Sequence, residues 1–129
     1  MIGLDTNILV RYLTRDDEVQ WKQAVEIISN AEFCFISNIV LCELVWVLKG
    51  KPYKYSQSEI LRIIELMLQS SKLEFANRTI IYQALKLNRI GKADFADYLI
   101  GAVNHHHECD ITVTFDQKLK GEKWYRVLN

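Results

Sequence analysis

One proline and five glycines among 129 residues are too few chain breakers for a collagen-like or linker-rich protein. No apolar run approaches the roughly 18 residues of a membrane-spanning helix, and the first residues run straight into a strand pattern instead of a basic and then apolar leader. The chain is therefore expected to be soluble, unexported and cytoplasmic. Cysteine is scarce as well. Cys34, Cys42 and Cys109 are odd in number, widely spaced and set among apolar neighbours, which argues against a disulfide framework or a zinc knuckle and for reduced core thiols. An excess of charge of either sign is also missing: sixteen basic residues balance sixteen acidic ones. No global field announces a nucleic-acid partner, so any basic patch has to be local, built for instance from Arg11, Arg15, Arg89 and Lys92.

What is present is globular composition, half hydrophobic and a quarter charged, in a length that suits one domain over residues 1–129. Four acidic residues interrupt its apolar runs. Asp5 ends Met1-Ile2-Gly3-Leu4, and Glu43 separates Ile39-Val40-Leu41-Cys42 from Leu44-Val45-Trp46-Val47-Leu48. Asp97 sits within Phe95-Ala96-Asp97-Tyr98-Leu99-Ile100, and Asp116 follows Ile111-Thr112-Val113-Thr114-Phe115. An isolated buried carboxylate is unfavourable unless it is paired, protonated or bound to metal, so four such positions ask for a common cause.

Met1 to Leu4 reads as a short strand, and Asp5-Thr6-Asn7 caps a helix carrying Ile8, Leu9, Tyr12 and Leu13. Val19, Ala24, Val25, Ile27 and Ile28 approximate helical spacing and predict a second helix ending near Asn30. Phe33 to Ile36 is a buried strand, and Ser37 caps the helix that holds Glu43, stopped by Gly50 and Pro52. Ser56-Gln57-Ser58-Glu59 is a capping box opening a helix with Ile60, Leu61, Ile63, Ile64, Met67 and Leu68 inward. Leu73 to Ala76 is a weaker strand, and Asn77 caps a helix running to about Asn88. Gly91 breaks the chain, Asp94 starts a helix reaching roughly His107, Asp110 to Thr114 is a β-branched strand, and Tyr125 to Leu128 is an edge strand. Short strands alternating with helices predict an α/β domain, with a mostly parallel four- to five-stranded sheet flanked by helices.

In such sheets ligands bind beyond the carboxyl ends of the strands. Asp5 and Asp116 each follow a strand, and Glu43 and Asp97 lie about two turns and about one turn into helices that start at the same rim. Asp94 and Asp97, three apart, share a helical face. Carboxylates about 4 Å apart repel by about 4 kcal/mol at an effective dielectric of about 20. Gathered together, they would hold protons or a cation at neutral pH. All-oxygen ligation without histidine or thiolate favours Mg2+ or Mn2+ over zinc. At a phosphodiester such an ion would activate a water and neutralise the scissile phosphate, giving 5′-phosphate and 3′-hydroxyl products. Thr6, Asn7 and Thr114 are neutral neighbours suited to orient the carboxylates.

Blander roles stand beside these. Asp5 taken singly is most simply a cap, Asp94 is more simply a cap than a ligand, and Asp97 or Asp116 alone could be solvated. Adjacent His105, His106 and His107 point in different directions on a helix and do not share an ion. Trp21, Trp46 and Trp124 read as core or dimer surface, and Lys118, Lys120 and Lys123 as a solvated loop.

Asp5-Thr6-Asn7-Ile8-Leu9, Glu43-Leu44 within an apolar helix, Asp94-Phe95-Ala96-Asp97-Tyr98-Leu99-Ile100-Gly101-Ala102 and Thr112-Val113-Thr114-Phe115-Asp116 resemble, in order, the four acidic motifs of PIN-domain nucleases. Within that family the chain is most similar to the VapC-type toxins of toxin/antitoxin pairs. The resemblance implies a PIN-like fold and an Mg2+- or Mn2+-dependent endoribonuclease cleaving RNA. It also implies a homodimer and inhibition by a small antitoxin protein near the acidic pocket. Carried over by position, Asp5, Glu43, Asp97 and Asp116 are the catalytic and metal-binding acids, with Asp94 accessory and competing with Asp97 for the third place. A phosphoryl-accepting receiver domain is disfavoured, because two of the acids lie inside helices. A noncatalytic α/β metal-binding or partner-binding module is the alternative.

Overall fold

A computed structural model describes residues 1–129, whose backbone divides into two compact units, Met1–Ala76 and Asn77–Asn129. The first contains β1 (Ile2–Gly3), α1 (Thr6–Thr14), α2 (Glu18–Asn30), β2 (Cys34–Ile36), α3 (Asn38–Lys49), α4 (Gln57–Gln69) and β3 (Leu73–Phe75). The three strands pair in parallel in the order β1-β2-β3, with Ile2 opposite Cys34 and Cys34 opposite Leu73. Parallel neighbours cannot be joined by a tight turn, and the helix pairs α1–α2 and α3–α4 are the crossovers this geometry requires. Apolar residues three and four apart bury one stripe of each helix: Leu41, Leu44 and Leu48 on α3, and Ile60, Ile64 and Leu68 on α4.

Helix starts follow local chemistry. Ser37 Oγ accepts the Val40 N–H at 3.2 Å. Ser56 and Glu59 form the reciprocal pair, with Glu59 N–H on Ser56 Oγ at 3.2 Å and Ser56 N–H on Glu59 Oε1 at 2.9 Å. These bonds hold the Glu59 carboxyl below its ordinary value.

The second unit contains α5 (Arg78–Ile90), α6 (Phe95–His106), β4 (Thr112–Thr114), a 3-10 turn (Gln117–Leu119) and β5 (Tyr125–Val127). Asn77 Oδ1 caps α5 through the Ile80 N–H at 3.2 Å. Helices α5 and α6 pack together, with Ile81, Ala84 and Leu85 buried on one and Phe95, Tyr98, Leu99 and Ala102 on the other. Strands β4 and β5 are parallel, with Thr112 opposite Tyr125 and Thr114 opposite Val127.

The mixed α/β fold with parallel strands and six helices is the expected one, and its five strands form a three-stranded sheet and a two-stranded ladder. Strands are shorter than their apolar runs: β1 keeps Ile2 and Gly3, and β4 excludes Asp110 and Ile111. On α1 the buried residues are Thr6, Leu9 and Val10, while Ile8 and Tyr12 are exposed. Val19 and Ile27 on α2 are exposed too, leaving Ala24 and Ile28 inward. Of the three free thiols only Cys34 is fully buried; Cys42 is half-buried, and Cys109, in the turn after α6, is exposed instead of lying in the core. No helix is long and apolar enough to cross a membrane.

Candidate active site

Two residues beyond the carboxyl end of β1, Asp5 takes extended geometry (φ −81°, ψ 162°) and caps α1. Its Oδ1 accepts the Thr6 N–H at 2.8 Å. Thr6 is 7% exposed, and its hydroxyl donates to Glu43 Oε1 at 2.9 Å across thirty-seven positions of sequence. One buried threonine therefore touches both carboxylates, by its main chain and by its side chain. Asn7 is exposed on the first turn of α1.

Neither Asp5 nor Glu43 is buried, contrary to the expectation drawn from their apolar surroundings. The run Ile39 to Leu48 wraps the whole circumference of α3, so one stripe faces outward: Ile39 is 74% and Trp46 68% exposed, with Glu43 on the line between them. An apolar run on a helix marks hydrophobic residues, not burial of everything they enclose. Exposure leaves the Glu43 carboxylate accessible and makes its hydrogen bond to Thr6 the feature that orients it.

In the second unit Asp116 also stands two residues beyond a parallel strand, β4. Its N–H donates to Thr114 Oγ1 at 3.1 Å, and its Oδ1 accepts the Lys118 N–H at 2.9 Å. Thr114 thus holds the main chain of the acid, whereas the expected contact was with its carboxylate. Asp97 is the third residue of α6, half-buried, and its Oδ2 accepts the Asp94 N–H at 3.1 Å. Burial raises its carboxyl pKa above the ordinary value, and the charges of Asp116 and Asp94 push the same way, against the Asp94 N–H and the Lys118 charge. The two aspartates that competed for one role differ: Asp94 is exposed at the helix start, and Asp97 is the half-buried one under repulsion.

Other residues settle into plainer roles. Arg11 is paired with Asp16 at 3.0 Å, and Arg15 is paired with Glu18 at 2.9 Å and lies over the Trp21 ring at 3.7 Å. These two arginines are each paired with an acid close by in the chain. His105 stacks on Trp124 at 4.2 Å, and His106 and His107 stand edge to face.

A buried polar network behind Asp97 has no counterpart in the sequence reading. Tyr98 Oη accepts the Ala93 N–H at 3.3 Å and donates to Glu122 Oε1 at 3.2 Å, and Asn88 Nδ2 donates to the Ala93 carbonyl at 3.0 Å. Tyr125 donates from its hydroxyl to the Asp97 main-chain carbonyl. Burial, then the Asp97 charge, raises the Tyr125 phenol far above its ordinary value, so it remains a donor. Gly101, in the middle of an apolar helix, was the available signal, since such a glycine marks a close approach.

The oxygens offered are those of Asp5 and Glu43, bridged by Thr6, in one unit, and of Asp94, Asp97 and Asp116 in the other. No three His, Cys, Asp or Glu side chains are close enough to cage an ion by themselves. In each unit these are hard carboxylate oxygens with neither imidazole nor thiolate among them, the donor chemistry that suits Mg2+ or Mn2+. The raised proton affinity of Asp97 comes first from its burial, with Asp116 and Asp94 adding to it and the Lys118 charge opposing.

No curated protein matches the chain. The PIN domain model matches residues 2–121, running through both compact units and through Asp5, Glu43, Asp94, Asp97 and Asp116; the chain belongs to the PIN domain family, in general metal-dependent nucleases.

Proposed function

We propose that this protein is an Mg2+- or Mn2+-dependent endoribonuclease, the cytoplasmic toxin of a VapBC-type toxin/antitoxin pair. Asp5, Glu43, Asp97 and Asp116 are its metal-binding carboxylates, and Asp94 is accessory. The observation that carries the reading is the placement of Asp97, half-buried in the first turn of α6 with its carboxylate held by the Asp94 N–H, on a chain of a nuclease family. Thr6 fixes the Glu43 carboxylate through its hydroxyl, and Thr114 fixes the chain at Asp116. When bound, a divalent ion supplies positive charge to the scissile phosphate and acidifies the attacking water. Asp94 presents its N–H to Asp97 and so limits the rotation of that carboxylate. A small antitoxin and a homodimer are the partners that the likeness to VapC-type toxins supports.

Purified protein with labelled RNA is expected to give internal cleavage with 5′-phosphate ends in Mg2+ or Mn2+, to stop in EDTA, and to resume when Mn2+ is restored. Cleavage that continues at full rate in EDTA overturns the metal-dependent reading. Sedimentation at micromolar concentration is expected to report twice the 15.1 kDa chain mass, and a single-chain mass removes the homodimer.

A further inference from the structure

We infer that Tyr125 is a positioning residue for Asp97, fixing where that carboxylate stands relative to Asp116. This rests on the reading of Asp97 and Asp116 as metal-binding carboxylates. The Tyr125 hydroxyl donates to the main-chain carbonyl of Asp97 in the first turn of α6, and a Cβ at Gly101, one turn further on, would overlap the phenol oxygen and ring. Tyr125 opens β5, whose partner is β4, and the ladder is closed by the Leu128 N–H on the Thr114 carbonyl at 2.8 Å. Thr114 Oγ1 in turn accepts the Asp116 N–H. Hydrogen bonds and the paired chain of β4 and β5 together therefore link Asp116 to Tyr125 and on to Asp97.

Packing alone would use only the ring. It does not explain a hydroxyl delivered onto a helix carbonyl, nor a helix that carries no side chain where that hydroxyl lands. Tyr98 meets the Tyr125 ring edge to face, with centroids 6.4 Å apart and planes at 89°, and Tyr98 is itself held by Ala93 and Glu122. The phenol is thus pinned from both sides. Glu122 and Tyr125 lie just beyond the stretch matched by the family model, which ends at residue 121.

The test is Mn2+ binding by the full-length protein, read from the electron paramagnetic resonance of free Mn2+, for the parent, Tyr125→Phe and Asp97→Asn. Tyr125→Phe is expected to melt within about 5 °C of the parent, since one hydrogen bond is lost. It is expected to bind Mn2+ about ten-fold or more weakly, the scale on which partners behind a ligand act. On RNA its kcat should fall while KM holds. Gly101→Ala, which displaces the phenol without deleting it, is the second arm and should weaken Mn2+ in the same direction. Unchanged Mn2+ affinity in Tyr125→Phe and Gly101→Ala, beside a weakened Asp97→Asn, overturns the positioning role and leaves the proposed function standing. Unchanged affinity in Asp97→Asn overturns the metal reading itself, and the positioning role with it.

Discussion

Asp97→Asn is expected to reduce RNA hydrolysis by about a hundred- to thousand-fold, the range seen when one group stabilising transition-state charge is removed. At neutral pH the same variant should melt no lower than the parent. Asparagine keeps an oxygen for the Asp94 N–H while discarding the charge that burial, Asp116 and Asp94 all disfavour. The sign follows from the raised carboxyl. Below the ordinary value of 3.8 both folded and unfolded chains carry the proton. Above it the unfolded chain releases the proton first, so folding stability falls as pH climbs through the folded-state value. The melting advantage of Asp97→Asn should therefore be absent below about pH 3 and appear as pH rises through the carboxylate range. Melting curves across that range, together with initial rates on one RNA in Mn2+, check both halves. A variant that cleaves at the parent rate removes Asp97 from the site. One that loses activity only because it unfolds removes the electrostatic argument.

Gly91→Ala is expected to lower stability by about 3 kcal/mol, near the top of the range for overpacking. In a chain of this size that is a drop of about 10 °C in melting temperature. Backbone conformation is not the reason, for φ −90° and ψ 171° suit any residue. Room is the reason: a Cβ here would overlap the Tyr98 hydroxyl and its ring carbon and approach Glu122 Oε1 at 3.0 Å. Tyr98 cannot yield easily, because it is fully buried and its hydroxyl is committed to Ala93 and Glu122. Adding Tyr98→Phe should recover part of the loss and no more, since the ring carbon remains in the way. Gly3→Ala, with nothing near the added methyl, is the control expected to change little. Equal melting of Gly91→Ala and Gly3→Ala would show that the corner between α5 and α6 relaxes freely.

What was legible in the sequence was local. The caps at Ser37, Ser56 and Asn77 each act on a residue three positions on, so their signal lies within one turn of chain. Thr6 and Thr114 could be singled out because they stand one and two residues from Asp5 and Asp116 in the chain. Glu43 was singled out as acidic but placed at the wrong depth, since an apolar run cannot say which side of α3 is left uncovered. Ile8 and Val10 exchanged places on α1 for the same reason: a stripe turned by about one residue about the axis, with Leu9 on it either way, looks equally helical. The tyrosine network was invisible because its partners are far apart, with Tyr125 reaching Asp97 across twenty-eight positions and Tyr98 reaching Glu122 across twenty-four. Only the bare Gly101 hinted that something came close.

Thr6 has a consequence for motion. Because its amide is bound to one acid and its hydroxyl to the other, a small roll of α1 about its own axis would turn Asp5 and pull on Glu43 in the same stroke. The Asp5 and Glu43 carboxylates of this unit are therefore geared to each other through one threonine.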